Sequence, residues 1–258
     1  MPWKESALAR TIRLILLIAV AGALAASGQN SGSAAASPSP LQGNINCCGL
    51  QPLKSDIEEV REARSWHYGP FVNWGTGLGD RDNFKFLSVG FEAGKILTPV
   101  LHAGILSGQF ELSGNIMPLW QAYTPAAHVQ TFVFDGQTYS QGIGGGTFTG
   151  ASLTPVIFRW NFATRSHRVQ PWFQAAGGLI YTTHKFPPDV LVPHGTPGAT
   201  SVFNFSPQGG AGLHYFTRSK RSVDVGLNAV HISSASLGDR NPGVNASVQV
   251  QVGYSWWK

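Results

Sequence analysis

Charge is scarce in this chain. Of its 258 residues only 12% are Asp, Glu, Lys or Arg, and the formal net charge is +5. No stripe of Lys and Arg interleaves with aromatic residues, which sets nucleic acid aside as a partner. Cysteine is nearly absent. The two present, Cys47 and Cys48, are adjacent, so a bond between them would need a strained ring far from relaxed disulfide geometry. They match no zinc spacing and lie well beyond the N-terminal apolar segment, so no function is assigned to them. Long hydrophobic runs are missing too. Past the N-terminus no apolar stretch reaches 18 residues, and mean hydropathy is near zero, which excludes a bundle of membrane-spanning helices. Phosphate-loop chemistry is also excluded: the glycine-rich GIGGGT at 142–147 lacks a lysine and precedes no helix, and reads as a flexible loop. His128, His184 and His194 fall in long loops without metal-ligand spacing.

What remains is apolar, glycine-rich and aromatic: 43% hydrophobic residues, 31 glycines, and 11% Phe, Trp and Tyr. That balance fits an all-β chain able to sit in a membrane. The N-terminus has the form of a secretory signal. Lys4, Arg10 and Arg13 precede an apolar run from Leu14 to Ala26, and Ala23-Leu24-Ala25 offers a cleavage site. The Ser/Ala/Gly/Pro segment after Ala26 reads as linker. The expected organisation is a signal peptide over 1–26, a flexible linker over 27–60 and a β-barrel over 61–258. The charged DIEEVREAR at 56–64 reads as a short, solvated helical turn.

Through the rest of the chain, apolar residues recur with period two, the mark of strands with two unlike faces. Val156, Phe158, Trp160 and Phe162 alternate with Arg159 and Asn161; Val248, Val250, Val252 and Tyr254 alternate with Gln249, Gln251 and Ser255. Eight such runs fall near 66–75, 84–96, 104–121, 149–163, 168–183, 201–217, 221–233 and 245–257. ATRSHR (163–168) and TRSKR (217–221) are tight connections, whereas 122–148, 184–200 and 234–244 are long. Short turns at one end and long loops at the other predict an eight-stranded antiparallel transmembrane β-barrel in the outer membrane of a Gram-negative-type cell. Its apolar face would meet lipid. Glu92, Glu111, Arg159, Asn204, His214, Asp224, Gln249 and Gln251 would fill the lumen. Trp66, Trp74, Trp120, Trp160, Tyr181, Tyr215, Trp256 and Trp257 would form interfacial girdles. A soluble secreted β protein stays open as the alternative.

The chemistry concentrates in HISSASLGDRNPGVN, residues 231–245. Val223, Val225, Leu227 and Ala229 share one parity, and His231 and Ser233 continue it, so both fall on the lipid side beside a long loop. An imidazole next to a hydroxyl can take its proton and make a nucleophile of it. Residues two apart on one strand face are roughly 6–7 Å apart at Cα, within reach for that transfer. An outward His–Ser pair would meet a membrane lipid directly. The developing oxyanion needs donors; Asn241, Ser234 and the backbone from Ser234 to Gly238 are candidates. Arg240 can pair bidentately with a phosphate.

This segment resembles the PagL-type lipid A 3-O-deacylases, an acyloxyacyl hydrolase-like outer-membrane family. Their pattern is approximately H-x-S-N-A, then an Asn, then a Glu near the start of the last strand. His231, Ser233 and Ala235 match, and Asn241 stands at the spacing of the downstream Asn. The resemblance is loose from about 60 to 258 and specific only over 231–245. It implies an eight-stranded barrel that hydrolyses the 3-position acyl ester of lipid A in lipopolysaccharide. No organic cofactor is implied; Ser233 would be the nucleophile and His231 the general base, then acid. Two positions depart from the pattern. Ser234 replaces Asn, and Asn245 stands where the acid would be. Asn245 as the third catalytic member can accept from an imidazole N–H but cannot neutralise imidazolium; Asp239 is the other source of a carboxylate. Strand parity also puts Asn245 toward the lumen unless the Asn241-Pro242-Gly243 turn re-aims it. A non-catalytic small barrel remains the competing reading, and a homodimer is left open.

Overall fold

The computed structural model describes residues 55–143, 145–188, 201–235 and 245–258. Among them, eight antiparallel strands close into a barrel in the order β1-β10-β9-β8-β7-β6-β3-β2. The strands are β1 (Trp66–Gly77), β2 (Lys85–Ile96), β3 (Gly108–Tyr123), β6 (Thr147–Phe162), β7 (Val169–Phe186), β8 (Ser201–Arg218), β9 (Arg221–His231) and β10 (Ala246–Trp257). The remaining two, β4 (His128–Phe134) and β5 (Gln137–Ile143), pair with each other as a hairpin within what the sequence presents as one long loop. Asp135 and Gly136 both take left-handed φ at its tip, the conformation a two-residue hairpin turn requires. Closure leaves no unpaired edge in the main sheet, which a sheet in hydrocarbon cannot tolerate.

The barrel is inside-out relative to a soluble one. Trp74 is 61% exposed, and Phe91, Phe158, Phe173, Tyr181 and Val252 also face outward. Arg159, by contrast, is 2% exposed and stands in the lumen. Its guanidinium donates to Glu111 Oε1 at 2.8 Å, Glu92 Oε1 at 2.7 Å and Gln174 Oε1 at 2.8 Å, and stacks over Trp172 at 4.8 Å. Glu111 also meets His67 at 2.9 Å, and accepts from Ser113 and Asn161. His67, Glu92 and Glu111 together have the donor types of a metal site, but Arg159 already occupies the role of their cation. A neighbouring network joins His214 to Asp224 at 2.6 Å, with Ser222 and Ser255 donating to the same carboxylate. The cavity between the two networks is about 10 Å³, room for one water. An apolar exterior around a polar, packed core is the construction of a small outer-membrane barrel.

Both ends of the lumen are filled. At the short-turn end sits helix α1 (Asp56–Ala63), which the sequence reading takes as a solvated turn. A capping box starts it: Ser55 Oγ accepts from the Glu58 N–H, and Glu58 Oε2 accepts from the Ser55 N–H. Arg64 ends it in the left-handed region. Ile57 and Val60 then pack against Ile96, Phe216 and Trp257, each burial being worth about 2 kcal/mol. Lys220 and Ser219 hydrogen-bond Glu59 and hold its carboxyl below the usual range. The linker expected over 27–60 therefore gives way to packed structure by Asp56. At the long-loop end, Phe84, Phe86, Trp120, Phe148, Ile180, Phe186, Val230 and Ile232 form an apolar cluster inside the barrel. Two expected girdle residues belong inside: Trp120 packs edge-on to Phe186 at 5.3 Å, and Trp257 meets the His67 ring in a tilted contact at 4.8 Å.

Arg159→Ala leaves Glu92 and Glu111 buried without their cation. The expected loss is about 3–5 kcal/mol, read as a lower urea midpoint of the refolded barrel in detergent. An unchanged midpoint would mean the network does not hold the lumen.

Candidate active site

The site lies where β9 runs out of partners. Strand β10 pairs with β9 as far as Ala246 opposite His231, and the Ile232 N–H still donates to the Asn245 carbonyl at 2.8 Å. On the other side, Ser233 exchanges two backbone hydrogen bonds with Phe205 of β8, at 2.7 and 2.9 Å. The extended conformation thus continues through Ser233, although the strand proper ends at His231. His231 and Ser233 have the outward parity of Val225, Leu227 and Ala229, and both are half-buried. Ile232, between them, points inward and is 1% exposed within the aromatic cluster. One apolar side chain thereby anchors the backbone on which both outward groups ride.

Ala235 ends the extension with φ +48, a left-handed turn unusual for a residue with a Cβ. The turn brings its N–H back to donate to Ser233 Oγ at 3.1 Å. That bond fixes the position of the hydroxyl oxygen. Beside the pair, Phe205 meets Phe203 edge-on at 5.7 Å, and Leu179 and Tyr181 of β7 pair with them in register. This gives His231 and Ser233 an apolar surround on the outer wall.

The other expected site residues are distributed differently. Ser234 is 3% exposed and Asn245 2% exposed, both with inward parity. Ser234 Oγ and Asn245 Nδ2 have no hydrogen-bond partner among the described residues. The structure therefore brings His231 and Ser233 to one face and leaves the side chains of Ser234 and Asn245 on the other. Period-two geometry is the reason, since no bulge re-aims Asn245 at the start of β10. What Asn245 supplies to the segment is its backbone carbonyl. Asn241, Arg240 and Asp239 lie outside the described residues. The contribution the sequence reading missed is that of Ile232. Its signal is an apolar residue standing alone on the inward parity, between two polar ones.

A small outer-membrane barrel with a His–Ser pair on its lipid-facing rim is the class of protein that fold and site define. The sequence model of the family "Lipid A 3-O-deacylase (PagL)" matches residues 104–255, more than half the chain and inclusive of His231 and Ser233. The chain belongs to that family. No curated protein matches it. Among solved structures it is similar to the outer membrane enzyme PagL, at 14% identity, 73% of this chain, 98% of that one and a TM-score of 0.39. Neisserial surface protein A gives 12% identity, 74% and 96% coverage and a TM-score of 0.44. Ail, the attachment invasion locus protein of Yersinia pestis, gives 11%, 75% and 97%, and 0.38. These likenesses are too remote to carry an assignment, and family membership stands on the sequence match.

Removing the anchor should loosen the site. Ile232→Ala opens a cavity in the aromatic cluster at a cost of about 2–5 kcal/mol. It should speed amide hydrogen exchange at Ser233, whose N–H is bonded to Phe205, whereas outward Val225→Ala should not. Equal exchange in the two variants would show that Ile232 does not hold this segment.

Proposed function

We propose that this chain is an outer-membrane serine hydrolase that removes the 3-position acyl chain of lipid A. The observation that carries the reading is the shared outward parity of His231 and Ser233, two residues apart, within the matched family region and bordered by Phe203, Phe205 and Leu179. A hydroxyl in that position meets an ester held in the membrane without any channel.

The chemistry follows from the groups. Ser233 Oγ attacks the ester carbonyl carbon while His231 takes its proton. The Ala235 N–H, bonded to Oγ, holds the attacking oxygen in position, while the negative charge develops on the former carbonyl oxygen. The bond from the carbonyl carbon to the sugar oxygen then breaks, and His231 returns the proton to the departing hydroxyl. Water then attacks the acyl–serine carbonyl carbon while His231 takes its proton; the bond to Ser233 Oγ breaks, His231 returns the proton to Oγ and the fatty acid leaves. Asn245 acts here through its carbonyl, which holds Ile232, rather than as an acceptor for the imidazole. The alternative, a non-catalytic barrel, draws on one observation: the strand carboxylates Glu92, Glu111 and Asp224 all have inward parity, so none orients His231 from the sheet.

Mass spectrometry of lipid A from expressing cells decides between them. Wild type should remove one hydroxyacyl chain and Ser233→Ala none; His231→Ala should be slower by about a hundredfold or more. Deacylation by Ser233→Ala at the wild-type level would overturn the mechanism, and intact lipid A with a folded wild-type barrel would favour the non-catalytic reading. Asn245→Ala should retain far more activity than Ser233→Ala. If instead it is as inactive as Ser233→Ala while folded, Asn245 belongs to the catalytic group after all.

A further inference from the structure

At the opposite end of the barrel from Ser233, a cavity of about 310 Å³ opens where α1 meets the outer wall. Arg64, Lys95 and Lys258 contribute the cations of its lining and Trp66, Ile96 and Leu97 the apolar part; no acidic side chain lines it, the one negative group being the α-carboxylate of Lys258. Among the described residues none of the three cations pairs with a carboxylate. The nearby Glu59 is taken by Lys220.

The cavity is built rather than incidental. Lys95 stands opposite Trp66 in the β1–β2 register, with its ammonium 5.0 Å from the Trp66 ring. Lys258 exchanges backbone hydrogen bonds with Trp66 at 2.7 and 2.8 Å and sets its ammonium 5.5 Å from the Tyr68 ring. Ile96 is fully buried against α1, and its N–H donates to the Ser65 carbonyl. Trp66 and Leu97 are 56% and 42% exposed. From there an aromatic surface runs along the outer wall toward mid-barrel: Tyr68 stacks with Trp256 at 5.8 Å and with Phe91 at 6.4 Å, and exposed Val72 and Val89 follow.

Short turns mark this as the periplasmic end. Three unpaired cations at the interface, continuous with an apolar wall, complement a molecule with an anionic head and hydrocarbon tails. We propose that this cavity binds the phosphodiester headgroup of an anionic phospholipid from the inner leaflet, its acyl chains lying on Tyr68, Phe91 and Val72. The site is separate from Ser233 and independent of the catalytic proposal.

Native mass spectrometry of the full barrel released from detergent tests it, with phosphatidylglycerol, phosphatidylcholine of the same chains, or inorganic phosphate added. Wild type should retain one phosphatidylglycerol in preference to phosphatidylcholine. Lys95→Ala, Lys258→Ala and Arg64→Ala should each lose about fivefold in that preference. Arg221→Ala, at the same rim but outside the cavity, should lose none. Heat-modified gel migration identifies folded barrels for comparison. Equal retention of the two lipids overturns the proposal, as does an Arg221→Ala loss matching that of Lys95→Ala. Retention of inorganic phosphate without phosphatidylglycerol would reassign the cavity to a free anion.

Discussion

One arginine sets the terms for this barrel. Eight strands enclose a lumen too narrow for bulk water, and their inward residues are polar because their outward residues must be apolar. Glu92 and Glu111 cannot stand there alone, since a buried carboxylate without a partner costs several kcal/mol. Arg159 answers both at once, with planar geometry that also reaches Gln174 and the face of Trp172. His67, Asn161 and Ser113 complete the remaining bonds of Glu111. The outward apolar surface is possible because this inward network neutralises its own carboxylates, although Glu92 Oε2, His67 Nδ1 and Asn161 Oδ1 have no partner among the described residues.

The network, with the His214–Asp224 network beside it, occupies the middle of the lumen, and the clusters toward either end are apolar. Toward the long loops, Phe186 collects Phe84, Phe86, Trp120 and Phe148 around it. This cluster gives Ile232 something to hold. The outer site is therefore stiff because of what lies behind it, on the far face of the same strand. The proposed catalytic pair on the lipid-facing wall has little packing of its own to rely on, and the inner face supplies it.

Much of this was legible in the sequence, because a strand's period of two is enforced wherever its faces differ. Alternation identifies the eight barrel strands, the inward position of Arg159 and the shared outward parity of His231 and Ser233. The same count gives Asn245 its inward side, in tension with a catalytic role for its amide. Alternation fails where inward residues are apolar. Trp257, Phe86 and Ile232 obey the pleat, but their chemistry is that of an outward residue, so composition does not reveal their side; Trp120 turns inward because a bulge after Met117 shifts the parity of its strand. The helix over 56–63 was illegible for a different reason. Ile57 and Val60 are its only buried apolar residues, and without the barrel end they would read as a solvated turn. The β4–β5 hairpin is carried by the left-handed pair Asp135-Gly136, a local signal hidden in a stretch that otherwise reads as loop.

A lumen filled by helix, ion network and aromatic cluster makes this barrel a post rather than a pipe. Nutrients and ions gain no route through it, so a cell can carry many copies without making its envelope leaky. Under the proposed deacylation its substrate arrives and departs sideways, within the plane of the membrane. On that reading its traffic is governed by lateral diffusion of lipids and by crowding among its neighbours, not by concentrations in the medium outside.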